Sequence, residues 1–192
     1  MILGISGVAT SGKDTLFLIL QKNLANKGIV LKRAALADQL KIDLMEFCEK
    51  HIGINILKAS SEEKRIIRGL MVSYGKIKRE QTRGKHWTSL LQKEIDFNLK
   101  NNIIPVVTDI RYAEYEEDEL HWLKKMNNGV LVHVSRILQN GDLLPPANEE
   151  EAINDPILKK NADFKFCWNT ISENTNIYDE ASWIISSLSK IL

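Results

Sequence analysis

The sequence has few cysteines and no long apolar stretch, and each of these absences excludes a class of protein. Its two cysteines, Cys48 and Cys167, are far apart and fit no metal-ligand spacing. Neither a disulfide framework nor a zinc site is therefore expected. No apolar run approaches membrane-spanning length, and the first residues lack the charged segment and cleavage site of a signal peptide. The sequence predicts a soluble protein of the cytoplasm, or of the host cytoplasm if it is viral.

The sequence also lacks an excess of positive or negative charge. Lys and Arg together number 26, Asp and Glu number 25, and the formal net charge is +1. A nucleic-acid interface or a basic membrane-binding face usually brings a clear surplus of positive charge, so neither partner is expected. Any anion that this protein binds must be met by a local cluster of cations.

The chain is long enough, at 192 residues, for one domain with a substantial core. Apolar segments alternate along it with segments of helical periodicity, which favours a parallel sheet covered by helices on both faces. The predicted strands are residues 1–6, 29–35, 103–108, 130–134 and 163–168. The predicted helices are residues 14–26, 38–51, 61–74, 88–100, 114–126, 149–153 and 178–192, with a Lys- and Arg-rich loop between the third and the fourth.

The strongest local signal is the segment of residues 7–15, which reads GVATSGKDT and joins the first strand to the first helix. Glycines let backbone N–H groups approach phosphate oxygens closely, and the helix N-terminus adds the positive end of its dipole. Lys13 supplies a positive charge for the β- and γ-phosphates of a nucleotide. The alternative is a tight turn that binds nothing. The sequence favours a phosphate-binding loop formed by Gly7, Ser11, Gly12, Lys13, Asp14 and Thr15.

Asp14 departs from the usual pattern of such loops, in which Ser or Thr ligates magnesium at this position. Two interpretations stay open. Asp14 can serve as a carboxylate ligand of Mg²⁺, directly or through water. Alternatively, Thr15 is the magnesium ligand and Asp14 only favours the start of the helix.

Charged residues at the ends of other strands suggest a second, acceptor side. Asp109 follows the third strand as a magnesium-site carboxylate would, with Arg111 two residues on; the alternative is that Asp109 caps a helix starting near residue 114. Asp38 and Lys41 follow the second strand, and their i, i+3 spacing would place them on one helix face. The alternative is that Asp38 caps the helix and Lys41 is only solvated. Arg136 ends the fourth strand, beside a mobile loop at residues 139–148.

The remaining candidates lie on predicted helices and in the basic loop. Arg65, Arg68, Arg79 and Arg83 form the most concentrated positive stretch, either solvated or able to grip a phosphate bidentately. Tyr74 and Trp87 could stack on a base, although core packing is the simpler interpretation of Trp87. The acidic run at residues 116–119 is interpreted as a solvated helix face.

Several of these segments occur in an order that resembles a known family. They are SGKDT at residues 11–15, LADQLK at 36–41, RGLMVSYG at 68–75 with Arg79 and Trp87 beyond, TDIR at 108–111, HVSR at 133–136, and an acidic segment from Glu149 to Asp155 that precedes Ala162, Asp163 and Asn169. Each motif is short, but together they span nearly the whole chain. The sequence resembles the phage-type deoxynucleoside monophosphate kinases, a P-loop family related in fold to adenylate kinase.

The resemblance implies a three-layer P-loop kinase domain over residues 1–192, with a helical acceptor-binding insertion at about 38–100 and a lid at about 136–155. It implies transfer of a phosphoryl group from ATP, with Mg²⁺, to a nucleoside monophosphate. The candidate catalytic residues are then Lys13, Arg68, Asp109, Arg111 and Arg136. The candidate substrate-binding residues are Asp38, Lys41, Arg68, Tyr74, Arg79, Trp87, Asp109, Arg111 and Glu150.

One segment departs from the family pattern, in which a His and a Ser precede the acidic residue after the lid. Here residues 147–150 read ANEE. Animal-type phosphomevalonate kinases are also similar through the Ser-Gly-Lys-Asp loop, but a strongly basic lid would favour them, and residues 137–148 contain no Lys or Arg.

A protein that binds ATP without turning it over would keep the loop but would not need the acceptor-side arginines. No Ser/His/Asp or Cys/His arrangement in the sequence indicates a nucleophile, so direct in-line transfer is expected. The base accepted, the sugar selected and the choice between a monomer and a homodimer stay open.

Overall fold

The structure, a computed structural model, describes residues 1–169 and 176–192. Its centre is a five-stranded sheet in the order β2-β3-β1-β4-β5, and every neighbouring pair runs parallel. The predicted α/β fold is confirmed. The strands are β1 (Leu3–Ser6), β2 (Leu31–Ala34), β3 (Ile104–Ile110), β4 (Val130–Arg136) and β5 (Phe164–Trp168).

Helices connect the strands and cover the sheet. They are α1 (Lys13–Ala25), α2 (Leu36–Phe47), α3 (Ser61–Gln81), α4 (Lys85–Lys100), α5 (Glu119–His121), α6 (Glu149–Asn161) and α7 (Ile177–Leu188), and single π-helical turns, Cys48–Ile52 and Trp122–Met126, extend α2 and α5. In the two described ranges, no helix combines the length and the apolar character that a membrane span requires.

Two apolar cores lie on opposite faces of the sheet. Consecutive residues of a strand point to opposite faces, and Val106 and Val107 of β3 accordingly belong to different cores. Val106 packs in the core that holds α1 and α7, whereas Val107 packs in the core that holds Leu91 and Ile95 of α4. Because both faces are covered, the central strands are mostly apolar, as expected for a parallel sheet, and their polar residues lie toward the carboxyl ends.

A third, smaller core lies away from the sheet and holds the helical region together. Leu44 of α2 and Ile67 of α3 pack there with Ile54 and Ile56 from the segment between these helices. The predicted helical insertion therefore has an apolar centre of its own.

Three helices differ most from the prediction in extent. Helix α3 continues to Gln81, so the predicted basic loop is mostly helix. Helix α6 has 13 residues and continues past residue 153 to Asn161, with Pro156 inside it. Helix α5 begins at Glu119 and not near residue 114, because the Asp118 carboxylate accepts hydrogen bonds from the N–H groups of Glu114 and Tyr115 and holds that segment as a turn.

The strand order also places a crevice at the end of β1. The chain leaves β1 for β2 and β3 on one side of it and later returns to β4 and β5 on the other side. In open α/β sheets, ligands bind outside the carboxyl ends of the strands at such a switch point. Residues 7–12 follow β1 at this position.

Candidate functional site

The loop after β1 has a backbone shape that requires glycine. Gly7, Thr10 and Gly12 have φ angles of 134°, 61° and 90°. A Cβ atom on Gly7 would lie 2.1 Å from the carbonyl oxygen of Val134 on β4, so no other residue fits there without a shift of the backbone. Loops of this kind present backbone N–H groups to an anion, and here the loop leads into the N-terminus of α1.

Lys13 folds back over the loop that precedes it. Its Nζ atom donates hydrogen bonds to the carbonyl oxygens of Gly7 at 2.6 Å and Val8 at 2.7 Å. The ammonium group is thereby fixed at the mouth of the loop.

The charge on Lys13 is balanced against several neighbours. Burial, and after it the positive charge of Arg111, lowers the pKa of Lys13 to about 8, while Glu151, Asp14 and Asp109 act in the opposite direction. Lys13 of the loop therefore lies within electrostatic reach of Asp109 and Arg111 at the end of β3. An additional anion at this place would stabilise the charged form of Lys13.

Two buried hydroxyl groups at the loop have no hydrogen-bond partner among the described residues. They are Ser6 Oγ at the end of β1 and Ser11 Oγ in the loop, and both residues are fully buried. Arg136 Nε, at the end of β4, is likewise buried with no hydrogen-bond partner in the part of the chain that the structure describes. Buried polar groups are normally paired because an unpaired one costs free energy, so these atoms are candidates to contact a ligand.

Arg33 on β2 connects the loop to the start of α2. Its Nε atom lies 3.7 Å from Asp14 Oδ1, and its Nη1 atom lies 2.8 Å from Asp38 Oδ2. Lys41 Nζ lies 2.6 Å from Asp38 Oδ1, as the i, i+3 spacing predicted. Burial works against the ionisation of Asp38, but the hydrogen bonds from Lys41 and Arg33 outweigh it and lower the pKa of Asp38.

Arg33 was not among the site residues predicted from the sequence. Its position at the carboxyl end of a strand, beside the loop, was the available signal. Because its guanidinium group bridges two carboxylates that belong to different elements, Arg33 couples the loop side of the crevice to the α2 side.

Asp109, near the end of β3, is buried and holds the start of α2. Its carboxylate oxygens accept hydrogen bonds from the N–H groups of Leu36, at 3.0 Å, and Ala37, at 2.8 Å. The alternative interpretation, a cap of a helix starting near residue 114, is wrong, because the helix whose N–H groups it accepts is α2. This contact fixes Asp38 relative to the end of β3.

The backbone of Arg111 is held by a buried carboxylate that the sequence pattern had assigned to a solvated face. Glu119 Oε2 accepts hydrogen bonds from the N–H groups of Arg111, at 2.5 Å, and Tyr112, at 3.1 Å. Burial raises the pKa of Glu119 to about 8. Asp118 is fully buried as well, so the acidic run is not a solvated face at these two residues. The Arg111 side chain itself is exposed.

Arg79 is the most enclosed of the four arginines in the basic stretch. Its guanidinium group contacts Asp118 through two hydrogen bonds, of 3.0 Å and 3.1 Å, and Glu114 at 3.0 Å. It also lies 3.9 Å from the centre of the Tyr112 ring. Burial disfavours the charge of Arg79, but the Asp118 carboxylate outweighs it and raises the pKa of Arg79. Its donors are thus engaged within the protein, whereas the side chains of Arg65, Arg68 and Arg83 are exposed.

The two aromatic candidates lie where α3 meets α4. Trp87 is 6% exposed, packs in the core on the α4 face of the sheet, and donates from Nε1 to the carbonyl oxygen of Gly75 at 3.2 Å. The Tyr74 ring centre lies 5.9 Å from that of Trp87, and its hydroxyl group lies 3.2 Å from Asp43 Oδ2. Trp87 is therefore a core residue, as the simpler interpretation of the sequence had it.

Helix α6 presents two glutamates to different parts of the crevice. Glu150, a predicted site residue, accepts a hydrogen bond from the Tyr112 hydroxyl at 2.9 Å and lies 3.3 Å from Lys76 Nζ. Glu151, which was not predicted as a site residue, accepts from Ala9 N–H in the loop at 3.2 Å. The available signal for Glu151 was its place three residues after Asn148, the residue that caps α6.

The structure also brings a serine, a histidine and an aspartate together, which the sequence did not lead us to expect. His133 Nε2 lies 2.9 Å from Asp155 Oδ1, and His133 Nδ1 lies 3.4 Å from Ser135 Oγ. The long Ser135 contact and the burial of the His133 ring do not suit an accessible nucleophile. The pair of His133 and Asp155 instead joins β4 to α6.

Comparisons with known proteins give no family for this chain. No family model matches it, and no curated protein sequence matches it. Among solved structures, it is similar to the crystal structure of TT1252 from Thermus thermophilus, with 13% sequence identity, a TM-score of 0.47, and coverage of 100% of this chain and 98% of that chain. A likeness of that size carries no argument about function, which has to come from the site itself.

Proposed function

We propose that this protein is a P-loop kinase that transfers the γ-phosphoryl group of ATP, with Mg²⁺, to a deoxynucleoside or nucleoside monophosphate and so forms the diphosphate. The observation that carries the proposal is the loop of residues 7–13, in which a glycine-dependent backbone and the ammonium group of Lys13 come together at the end of β1. Loops of this construction cradle the phosphates of a nucleotide.

The groups around the loop fit a polyphosphate. Ala9 N–H already donates to a carboxylate oxygen of Glu151, at 3.2 Å, so this backbone group faces an anion. The hydroxyl of Ser11 and Arg136 Nε are buried without partners among the described residues. Phosphate oxygens accept hydrogen bonds from such groups, and a partner of this kind would remove the cost of leaving them unpaired.

The oxygen donors at the start of α1 fit a magnesium ion that is shared with the substrate. The Asp14 side chain is 78% exposed, and Thr15 follows it. Within residues 1–169 and 176–192, no three His, Cys, Asp or Glu side chains form a metal-binding group. Mg²⁺ would thus be held by Asp14 or Thr15 together with phosphate oxygens and water, an arrangement that this ion favours. When bound, it neutralises charge on the phosphates.

In the proposed mechanism, the protein positions the reactants and supplies positive charge. Lys13 holds the donor phosphates, and their negative charge keeps it protonated despite its lowered pKa. Arg111 and Arg136 lie at the ends of the strands on either side of β1, where they can stabilise the transferring group. An acceptor phosphate needs little deprotonation at neutral pH, so no general base is required.

The acceptor would lie on the α2 and α3 side of the crevice. Asp38 is held as a carboxylate there by Arg33 and Lys41, and Arg68 is exposed on α3, where its guanidinium group would contact the acceptor phosphate. Closure of residues 139–148 over the reactants would exclude water and limit ATP hydrolysis. The reaction would take place in the cytoplasm, with small-molecule nucleotides as partners.

The first experiment is a coupled ADP-release assay with ATP and Mg²⁺. The acceptors are dAMP, dGMP, dCMP, dTMP, their hydroxymethyl or ribo counterparts, and phosphomevalonate. Turnover of one or more nucleotides supports the proposal and supplies the specificity. Turnover of phosphomevalonate alone, or ATP binding with no turnover, would replace it by the corresponding alternative.

The second experiment compares Arg68→Ala with Arg65→Ala, which removes a neighbouring exposed arginine from the same helix. Arg68→Ala should lose most acceptor turnover while it keeps ATP binding, and Arg65→Ala should stay near wild type. Unchanged turnover of Arg68→Ala would show that Arg68 does not bind the acceptor.

A further inference from the structure

The phosphate loop already carries an internal anion. Glu151 Oε2 accepts hydrogen bonds from two backbone N–H groups, that of Ala9 in the loop at 3.2 Å and that of Ala147 at 3.0 Å. Ala147 belongs to the segment of residues 137–148, which leads from β4 to α6. One carboxylate oxygen therefore joins this segment to the loop.

Glu151 also lies within the electrostatic environment of the loop lysine, since its charge is one of those that act on Lys13. The backbone of Glu151 is fixed, because its N–H donates to Asn148 Oδ1 at 2.9 Å in the cap of α6. Its side chain is only partly buried. The carboxylate can thus leave the loop by side-chain rotation, without unwinding the helix.

The rest of α6 is anchored elsewhere. Asn154 accepts from Ala113 N–H at 2.9 Å and donates to Glu114 Oε1 at 2.7 Å, and Asp155 pairs with His133 on β4. These contacts hold the helix body whether or not Glu151 touches the loop. The Glu151 side chain and the Ala147 amide that it holds can therefore exchange contacts while the helix body stays in place.

We propose that Glu151 competes with substrate phosphate for the loop, so that phosphate binding at Ala9 displaces the carboxylate and releases Ala147. A phosphate oxygen and a carboxylate oxygen cannot occupy the same N–H group, and their like charges repel near Lys13. The coupling is reciprocal: whatever favours the contact between Glu151 and the Ala147 amide weakens phosphate binding, and bound phosphate releases that amide. This inference rests on the proposed function, because it requires that the loop binds phosphate.

The test measures the affinity of inorganic pyrophosphate and of ATP, without acceptor, by titration calorimetry. Glu151→Ala removes the competitor and should bind pyrophosphate about tenfold more tightly than wild type, the effect of one charge-assisted contact. Glu151→Gln keeps the shape and an oxygen acceptor but loses the charge, and it should lie between the two. Glu149→Ala is the matched control, because it removes a charge from the same helical turn at an exposed residue, and it should stay within about twofold of wild type.

A second readout follows the tether directly, by hydrogen exchange of the Ala147 amide. In wild type this amide should exchange faster when pyrophosphate is bound, and in Glu151→Ala it should exchange fast with or without the ligand. Should Glu151→Ala fail to fold, the pyrophosphate affinity of Glu151→Gln and the hydrogen exchange of its Ala147 amide decide between these outcomes.

Three results separate the inference from the proposed function. Equal or weaker pyrophosphate binding by a folded Glu151 variant would mean that Glu151 shapes the loop and does not compete, and the inference would fall alone. Ala147 exchange that is unchanged by pyrophosphate would also overturn it. Absence of pyrophosphate and ATP binding in wild type and in every variant would overturn the proposed function, and the inference with it.

Discussion

The guanidinium group of Arg79 and the carboxylate of Asp118 form a buried bidentate ion pair, with N–O distances of 3.0 Å and 3.1 Å. The same Asp118 carboxylate holds the N–H groups of Glu114 and Tyr115. Helix α3 is thereby fixed to the turn that follows Asp109 and Arg111. Arg79, which the sequence offered as an acceptor-binding residue, thus joins α3 to the segment between β3 and α5.

Arg79→Ala should lower the free energy of unfolding by about 3 to 5 kcal/mol, because it leaves the Asp118 charge buried without compensation. Urea unfolding followed by circular dichroism measures the change. Arg65→Ala, at an exposed position of the same helix, should change it by less than about 0.5 kcal/mol. A stable Arg79→Ala variant that has lost acceptor turnover would instead assign Arg79 to the substrate.

Gly7→Ala should weaken phosphate binding, because its Cβ atom would meet the Val134 carbonyl oxygen at 2.1 Å and displace the loop. Gly28→Ala is the control that separates the steric clash of a new Cβ atom from the strain of a positive φ angle. Gly28 also has a positive φ, of 77°, but no atom of residues 1–169 or 176–192 lies within 4 Å of the position that a Cβ atom would take there, so the cost is about 1 to 2 kcal/mol of stability. Pyrophosphate affinity should fall by at least about tenfold for Gly7→Ala and stay unchanged for Gly28→Ala.

Lys13 should make stability rise with pH in alkaline solution. Its pKa is lowered from 10.5 to about 8, first by burial and then by Arg111, so between these values the unfolded chain binds more protons than the folded one. Lys13→Met should therefore be more stable than wild type at pH 7, and the difference should shrink between about pH 8 and 10.5. Urea unfolding of both proteins across this range measures it, and a pH-independent difference would contradict the assignment.

Glu119 should have the opposite effect at lower pH. Burial raises its pKa from 4.5 to about 8, so between these values the folded state binds more protons and stability falls as the pH rises. Glu119→Gln cannot ionise, and its stability relative to wild type should increase from pH 4.5 to 8. Glu116→Gln, at an exposed position of the same run, should show no such trend when unfolding is measured in parallel.

Much of the fold was predictable because it depends on local patterns. The apolar strands and the four-residue spacing of Leu16, Leu20 and Leu24 predicted β1, α1 and a covered parallel sheet, and the structure has them. The ends of α3, α5 and α6 were not predictable in the same way. Their limits depend on contacts between distant segments, such as the Asp118 carboxylate that holds residues 114 and 115 as a turn.

The sequence by itself determined the backbone shape of the loop of residues 7–13, since Gly7 and Gly12 adopt the positive φ angles that this shape requires. Only the tertiary structure decided which charged side chains are engaged within the protein and which face the crevice. Arg33, Glu119 and Glu151 gain their partners from other elements, and Arg79 is enclosed by carboxylates some 35 to 39 residues away. A charge in a sequence shows neither its burial nor its partner, because both are set by packing between segments that the chain order does not place together.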